Sequence, residues 1–217
     1  MRSLVQKRLL LTSIPGGVFI ALACMPLIVK ESPQPTLRLL QLLMLPGICV
    51  LLIQSALAWT PERMLLRPGC SPDLPRRRWF ELALLAVVVA AARLALDPLL
   101  QRLVPIIPIS SWGAFARKLP FSVLVQPLVM VVAVYVFTLR LSHSARLANA
   151  AVILFHQGIV VLQFASGVKP STLAILVVIA GFDGLAGAWS YHRYGVTGTI
   201  AVAAAAFSRH ACALISS

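Results

Sequence analysis

The sequence predicts an all-α fold: a polytopic transmembrane helix bundle of about seven spans, with a short proline-broken interfacial segment. Three observations carry this. Of 217 residues, 59% are hydrophobic and 12% charged, against about 45–50% and about 25% in soluble domains. The mean hydropathy is +0.91, more apolar surface than a soluble core of this length hides. The apolar residues fall in runs close to the ~20 residues that cross a bilayer.

The runs lie at 9–29, 37–58, 79–96, 119–139, 147–166, 171–191 and 196–214. The first follows Arg2, Lys7 and Arg8, as in a signal peptide, and Ala21-Leu22-Ala23-Cys24 is similar to a lipoprotein cleavage site. The run continues through Met25 to Val29, so it is read as an uncleaved first span. After the second run, residues 60–78 end in Arg76-Arg77-Arg78 beside Trp79. This reads as a topology anchor with an interfacial aromatic, or as a docking site for an acidic partner or lipid headgroup. Between the third and fourth runs, Pro98 to Ser111 is apolar but short and broken by prolines, which fits an interfacial or re-entrant segment. In the fourth run, Gln126-Pro127 predicts a kink. The last three runs follow one another through short loops. With no soluble domain, no Gly/Ser linker and no internal repeat, residues 1–217 form a single integral membrane domain.

Orientation follows from Lys and Arg in the short loops. An N-in arrangement places eleven inside (Arg2, Lys7, Arg8, Arg63, Arg67, Arg76, Arg77, Arg78, Arg140, Arg146, Arg193) and six outside (Lys30, Arg38, Arg102, Arg117, Lys118, Lys169). The expected location is the cell inner membrane, N-terminus cytoplasmic and C-terminus outside, with the lipid bilayer as partner. The net charge of +13 and pI near 11.1 do not indicate nucleic acid, because the basic residues sit at the ends of apolar runs, where they meet anionic headgroups. The four cysteines, Cys24, Cys49, Cys70 and Cys212, form no CxxC motif. Three read as small hydrophobes, and Cys70, in an inner loop, is not expected to form a disulfide.

Ionisable groups inside spans are costly and are the first functional candidates. Asn149, His156 and Gln163 recur every seven residues, a stripe expected to face the bundle interior. Asp183 lies in Gly181-Phe182-Asp183-Gly184-Leu185-Ala186-Gly187, whose glycines let another helix approach closely. Arg209 and His210 lie near the outer end of the last span. His156 is roughly 14 Å and Asp183 roughly 12 Å from the inner ends of their spans, which predicts a His156–Asp183 contact. That pair reads either as interhelical glue or as a chemical site, the carboxylate fixing the imidazole for a metal or a proton relay. Arg77/Glu81 and Arg93/Asp97 read as i,i+4 ion pairs, and His143 and His192 as solvated loop residues. Soluble chemistry is absent: no HExxH, GxSxG, GxxxxGK[ST] or GxGxxG occurs, and the acidic residues do not cluster.

From about Leu119 to Ile215 the chain resembles the CAAX-protease and bacteriocin-processing (CPBP) family of intramembrane proteases. Gly184, Tyr191, Arg193 and Gly195 fit that family's pattern of a glycine, a Tyr seven residues on, a nearby Arg and another Gly before the last helix. Ala151-Val152-Ile153-Leu154-Phe155-His156 is similar to its Phe-x-x-x-His helix, with Val152 in place of Phe. The family's Glu-Glu pair would fall near Pro127 to Val131, where there is no carboxylate. Glu62-Arg63-Met64-Leu65-Leu66-Arg67 echoes that motif with one Glu, far upstream. The family's last His would fall at Ala204; His210 lies six residues further on, with Leu214 where Asn is expected. The resemblance thus implies a retained fold with the catalytic set reduced to His156.

Three functions compete at this stage. The favoured one is a non-catalytic CPBP-like bundle, a subunit, scaffold or maturation factor of a larger membrane complex, with other membrane protein subunits as partners and no cofactor. The second is a divergent intramembrane metalloprotease with His156, Asp183 and His210 as catalytic residues and Zn as cofactor. The third is a small transporter or proton relay along Asn149, His156, Gln163 and Asp183.

Overall fold

The computed structural model describes residues 2–31, 34–59, 76–104 and 109–215. The loop with Glu62, Arg63, Arg67 and Cys70, and the Pro105–Pro108 run, lie outside the described residues, as do the side chains of Arg2, Lys7, Arg8 and Arg76. The described residues are all-α. Six helices follow in order: α1 (Arg2–Glu31), α2 (Pro35–Trp59), α3 (Arg76–Leu103), α4 (Trp112–Ser142), α5 (Ala145–Phe164) and α6 (Pro170–Ile215). All six are long and apolar enough to cross a membrane.

The surface supports that reading. Phe19, Leu43, Leu51, Phe80, Val87, Leu154 and Leu162 are each more than half exposed, an outward apolar face that lipid tolerates and water does not. The core lies where α1, α2, α4, α5 and α6 meet, around Cys24, Cys49, Val132, Tyr135, Ala148, Val152 and Ala188. A smaller cluster joins Leu100 of α3 and Val104, just past its end, to Leu176 of α6.

Two boundaries differ from the sequence expectation, and the break expected at Gln126-Pro127 takes a specific form. The third run was to stop at 96, but α3 continues through Pro98 to Leu103. Proline removes one backbone hydrogen bond, and here its ring faces outward while Leu100 on the same turn is buried. In α4, Pro127 sits between two π-helical stretches, Phe121–Val125 and Leu128–Ala133; the wider turns accommodate the missing donor. The last two runs form one element, α6, broken at Gly195 (φ 69°, ψ −157°). That conformation favours glycine.

The break reverses the chain. Asp183 and Arg209 are about 26 residues apart, roughly 39 Å along a straight helix. Yet they pair with Arg93 and Asp97, one turn apart on α3. The arm after Gly195 therefore folds back along the arm before it. The α4–α5 turn is almost as short: His143 caps α4 in the left-handed region (φ 52°) and Ser144 caps α5 through Leu147 N.

The glycine stripe in the first arm of α6 behaves as its spacing suggests. A Cβ on Gly184 would lie 2.8 Å from Ile153 Cα, so only glycine admits the α5 backbone there. Alongside, Gln157 Nε2 donates to Val177 O at 3.3 Å, a second tie between α5 and α6.

Candidate functional site

Two polar assemblies stand between α3 and α6, one at each end of the bundle. At the end where α6 reverses, Glu81 Oε2 accepts from Arg193 Nη2 (2.6 Å), Arg193 Nε (3.2 Å) and the Tyr194 hydroxyl (3.2 Å). Its other oxygen lies 3.3 Å from Arg77 Nε, so the i,i+4 pair is present but is one part of a larger cluster. The Arg193 guanidinium also sits 5.7 Å from the Trp189 ring centroid. Beside it, the buried Tyr135 hydroxyl shares a 2.7 Å hydrogen bond with His192 Nδ1. His192 is exposed, as expected, but it lies within helix α6 rather than in a loop.

The second assembly lines a cavity of about 350 Å³. Arg93 of α3 forms an ion pair with Asp183 in the first arm of α6. Asp97, one turn on, accepts from Arg209 Nη1 of the second arm at 2.6 Å. The expected Arg93–Asp97 pair is thus replaced by two cross-helix pairs, because both carboxylates find a guanidinium on α6. His210 lies beside Arg209 (Nε to Nε2 3.4 Å) and packs edge-on against Phe207. Lys118, Ser122 and Gln126 of α4 complete the polar lining.

His156, Asp183 and His210 all line this cavity, so the structure gathers the three sequence candidates in one place. It does not join them. Asp183 takes Arg93, and His156 Nδ1 donates to Val152 O at 2.9 Å. With Nδ1 the donor, a neutral His156 keeps its acceptor on Nε2. No hydrogen bond joins His156 to Asp183, because the longer arginine takes the carboxylate. The rest of the α5 stripe diverges: Asn149 is half-buried with Oδ1 unpartnered, whereas Gln163 is exposed. A heptad repeat drifts about 20° per turn of the pattern on a straight helix, which carries Gln163 off the inner face.

No group of three or more His, Cys, Asp or Glu among the described residues is placed to hold a metal ion. The donors at the cavity do not fit a zinc site, which needs three well-placed protein ligands. Gln126, Pro127, Met130 and Val131 line one wall, and Val202, Ala203 and Ala206 another.

No protein-family model, no curated protein and no solved structure matches this chain. The cavity must therefore be read on its own chemistry. Sequence reasoning missed Arg93 and Lys118 as members of it. Both were visible as cations within or just before an apolar run, which is a signal in its own right.

Proposed function

We propose that the chain is a non-catalytic, multi-pass inner-membrane protein with a CPBP-like helix bundle, serving as a subunit, scaffold or maturation factor of a membrane complex. One observation carries the reading. Among the described side chains, each carboxylate, Glu81, Asp97 and Asp183, is engaged by an arginine. A carboxylate held by a guanidinium is a poor general base, and water activation needs a free one within reach. The cavity wall at Pro127, Met130 and Val131, where the resemblance would put the glutamates, is apolar. We read seven spans, the two arms of α6 counting separately on either side of Gly195, with the N-terminus cytoplasmic and the C-terminus outside.

The runner-up is a divergent intramembrane metalloprotease, favoured by His156, Asp183 and His210 sharing one cavity. Purification in mild detergent separates the two, with metal measured by mass spectrometry beside the His156→Ala variant. The proposal expects co-purifying membrane subunits and no zinc. A monomer carrying stoichiometric zinc that is lost in the variant would establish the runner-up instead. An alkaline phosphatase fused after Ser217 tests topology: activity is expected, and an inactive, stable fusion places the C-terminus inside.

A further inference from the structure

The cavity between α3, α4 and α6 is not the end of the open volume. A second pocket of about 600 Å³ lies against it, walled by Leu27 of α1 and by Leu40, Met44, Leu45 and Ile48 of α2. Ser122 of α4 lines both. One chamber is polar and the other almost wholly apolar, and both volumes fall within the range of small-molecule sites, about 300–1,000 Å³.

The charges of the polar chamber are spent within the protein. Arg93 holds Asp183, Arg209 holds Asp97, and Lys118 is engaged as well. The neutral groups are not. Ser122 and Gln126 lie four residues apart on the cavity side of α4, and neither side chain bonds to another described residue. A helical serine can return its hydroxyl to the carbonyl one turn back, as Ser142 does to Thr138 O at 2.7 Å; Ser122 does not. His156 spends Nδ1 on Val152 O, which leaves Nε2 of the neutral ring as an acceptor on the same cavity. Gln126 stands near the middle of the 31-residue α4, far from the headgroups at either end. Polar groups at that depth are costly until something bonds to them.

The geometry points to a binding site for one neutral amphiphile, a single-chain lipid with a hydroxyl-bearing headgroup. A hydroxyl donates and accepts at once. The headgroup donates to His156 Nε2 and accepts from the Gln126 amide, with Ser122 serving in either sense, and the chain lies along Met44 and Leu45 in the apolar chamber. An ionic headgroup would need a counter-charge that the two ion pairs have already taken. The inference is independent of whether the bundle serves a larger assembly.

The test uses the full chain in nanodiscs of phosphatidylcholine with a minority of monoolein, or of methyl oleate, which keeps the chain and lacks the hydroxyls. Free glycerol, a headgroup without a chain, is a separate arm. Native mass spectrometry reads retained lipid, and thermal unfolding reads the shift on binding. Monoolein is expected to be retained and to raise Tm, while methyl oleate and an equal concentration of glycerol leave Tm unchanged. Ser122→Ala and Gln126→Leu are each expected to weaken monoolein retention about fivefold, with Ser122→Thr restoring it. Met44→Trp, which fills the apolar chamber and leaves the polar one intact, is expected to weaken it as well. Equal retention of monoolein and methyl oleate by the unaltered chain overturns the proposal and leaves only an apolar groove. A Tm rise with glycerol alone also overturns it, as does monoolein retention unchanged in Ser122→Ala/Gln126→Leu.

Discussion

The α1–α2 hairpin and the α3–α6 interface solve the same problem by different means. In lipid, apolar side chains gain nothing by leaving lipid for one another, so helices associate through close packing or polar contacts. The hairpin uses shape. A Cβ on Gly17 would lie 2.7 Å from Val50 N, and Cys24 and Cys49 are fully buried nearby. The α3–α6 interface uses charge. Helix α3 buries Leu82 and Leu100 but sends Glu81, Arg93 and Asp97 across to α6. A shape-based interface tolerates no added volume, whereas a charge-based one tolerates volume but not an unpaired partner.

The largest expected effect comes from unpairing. Asp183→Ala leaves the part-buried Arg93 without its carboxylate and should cost about 2–3 kcal/mol, as losing a charged hydrogen-bond partner does. Replacing both, as Arg93→Leu/Asp183→Leu, should recover most of that loss. Unfolding by denaturant in mixed micelles measures both variants, and a double variant no better than the single would show that the pair does not act as a unit.

Next comes overpacking of the hairpin. Gly17→Val drives a branched side chain into the α2 backbone and should cost about 1–3 kcal/mol. Gly16→Ala should cost far less, since its Cβ meets nothing closer than the end of Ile53 at 3.5 Å. Equal melting temperatures for the two variants would show that the helices do not approach as described.

A smaller loss, about 1 kcal/mol, is expected for Tyr135→Phe, which strips the hydroxyl from a fully buried ring and breaks its bond to His192. Smallest should be Arg193→Gln. Its side chain is 47% exposed, so solvent screens its pairing with Glu81. The same unfolding assay orders all four sites, and Arg193→Gln exceeding Asp183→Ala would reverse the contrast between the two ends of α3.

The helices were legible in the sequence because a bilayer demands a minimum apolar length, and each run does lie in a helix. The ends were less so. The apolar run stops at 96, before Asp97-Pro98, yet Asp97 is satisfied by Arg209 from another element, and local sequence does not record such a partner. The residues of the site were half legible. Matching depths brought His156 and Asp183 to one cavity, because two helices joined by a short loop share a register. The ion-pair partner of Asp183 was not legible, because an arginine head sits far from its own Cα and Arg93 reaches the carboxylate from another helix.

At Gly195 the chain turns back within a single residue. A protease meets no loop to cut there, so the two arms of α6 would stay joined after proteolysis. The same economy leaves nowhere to insert an epitope or reporter.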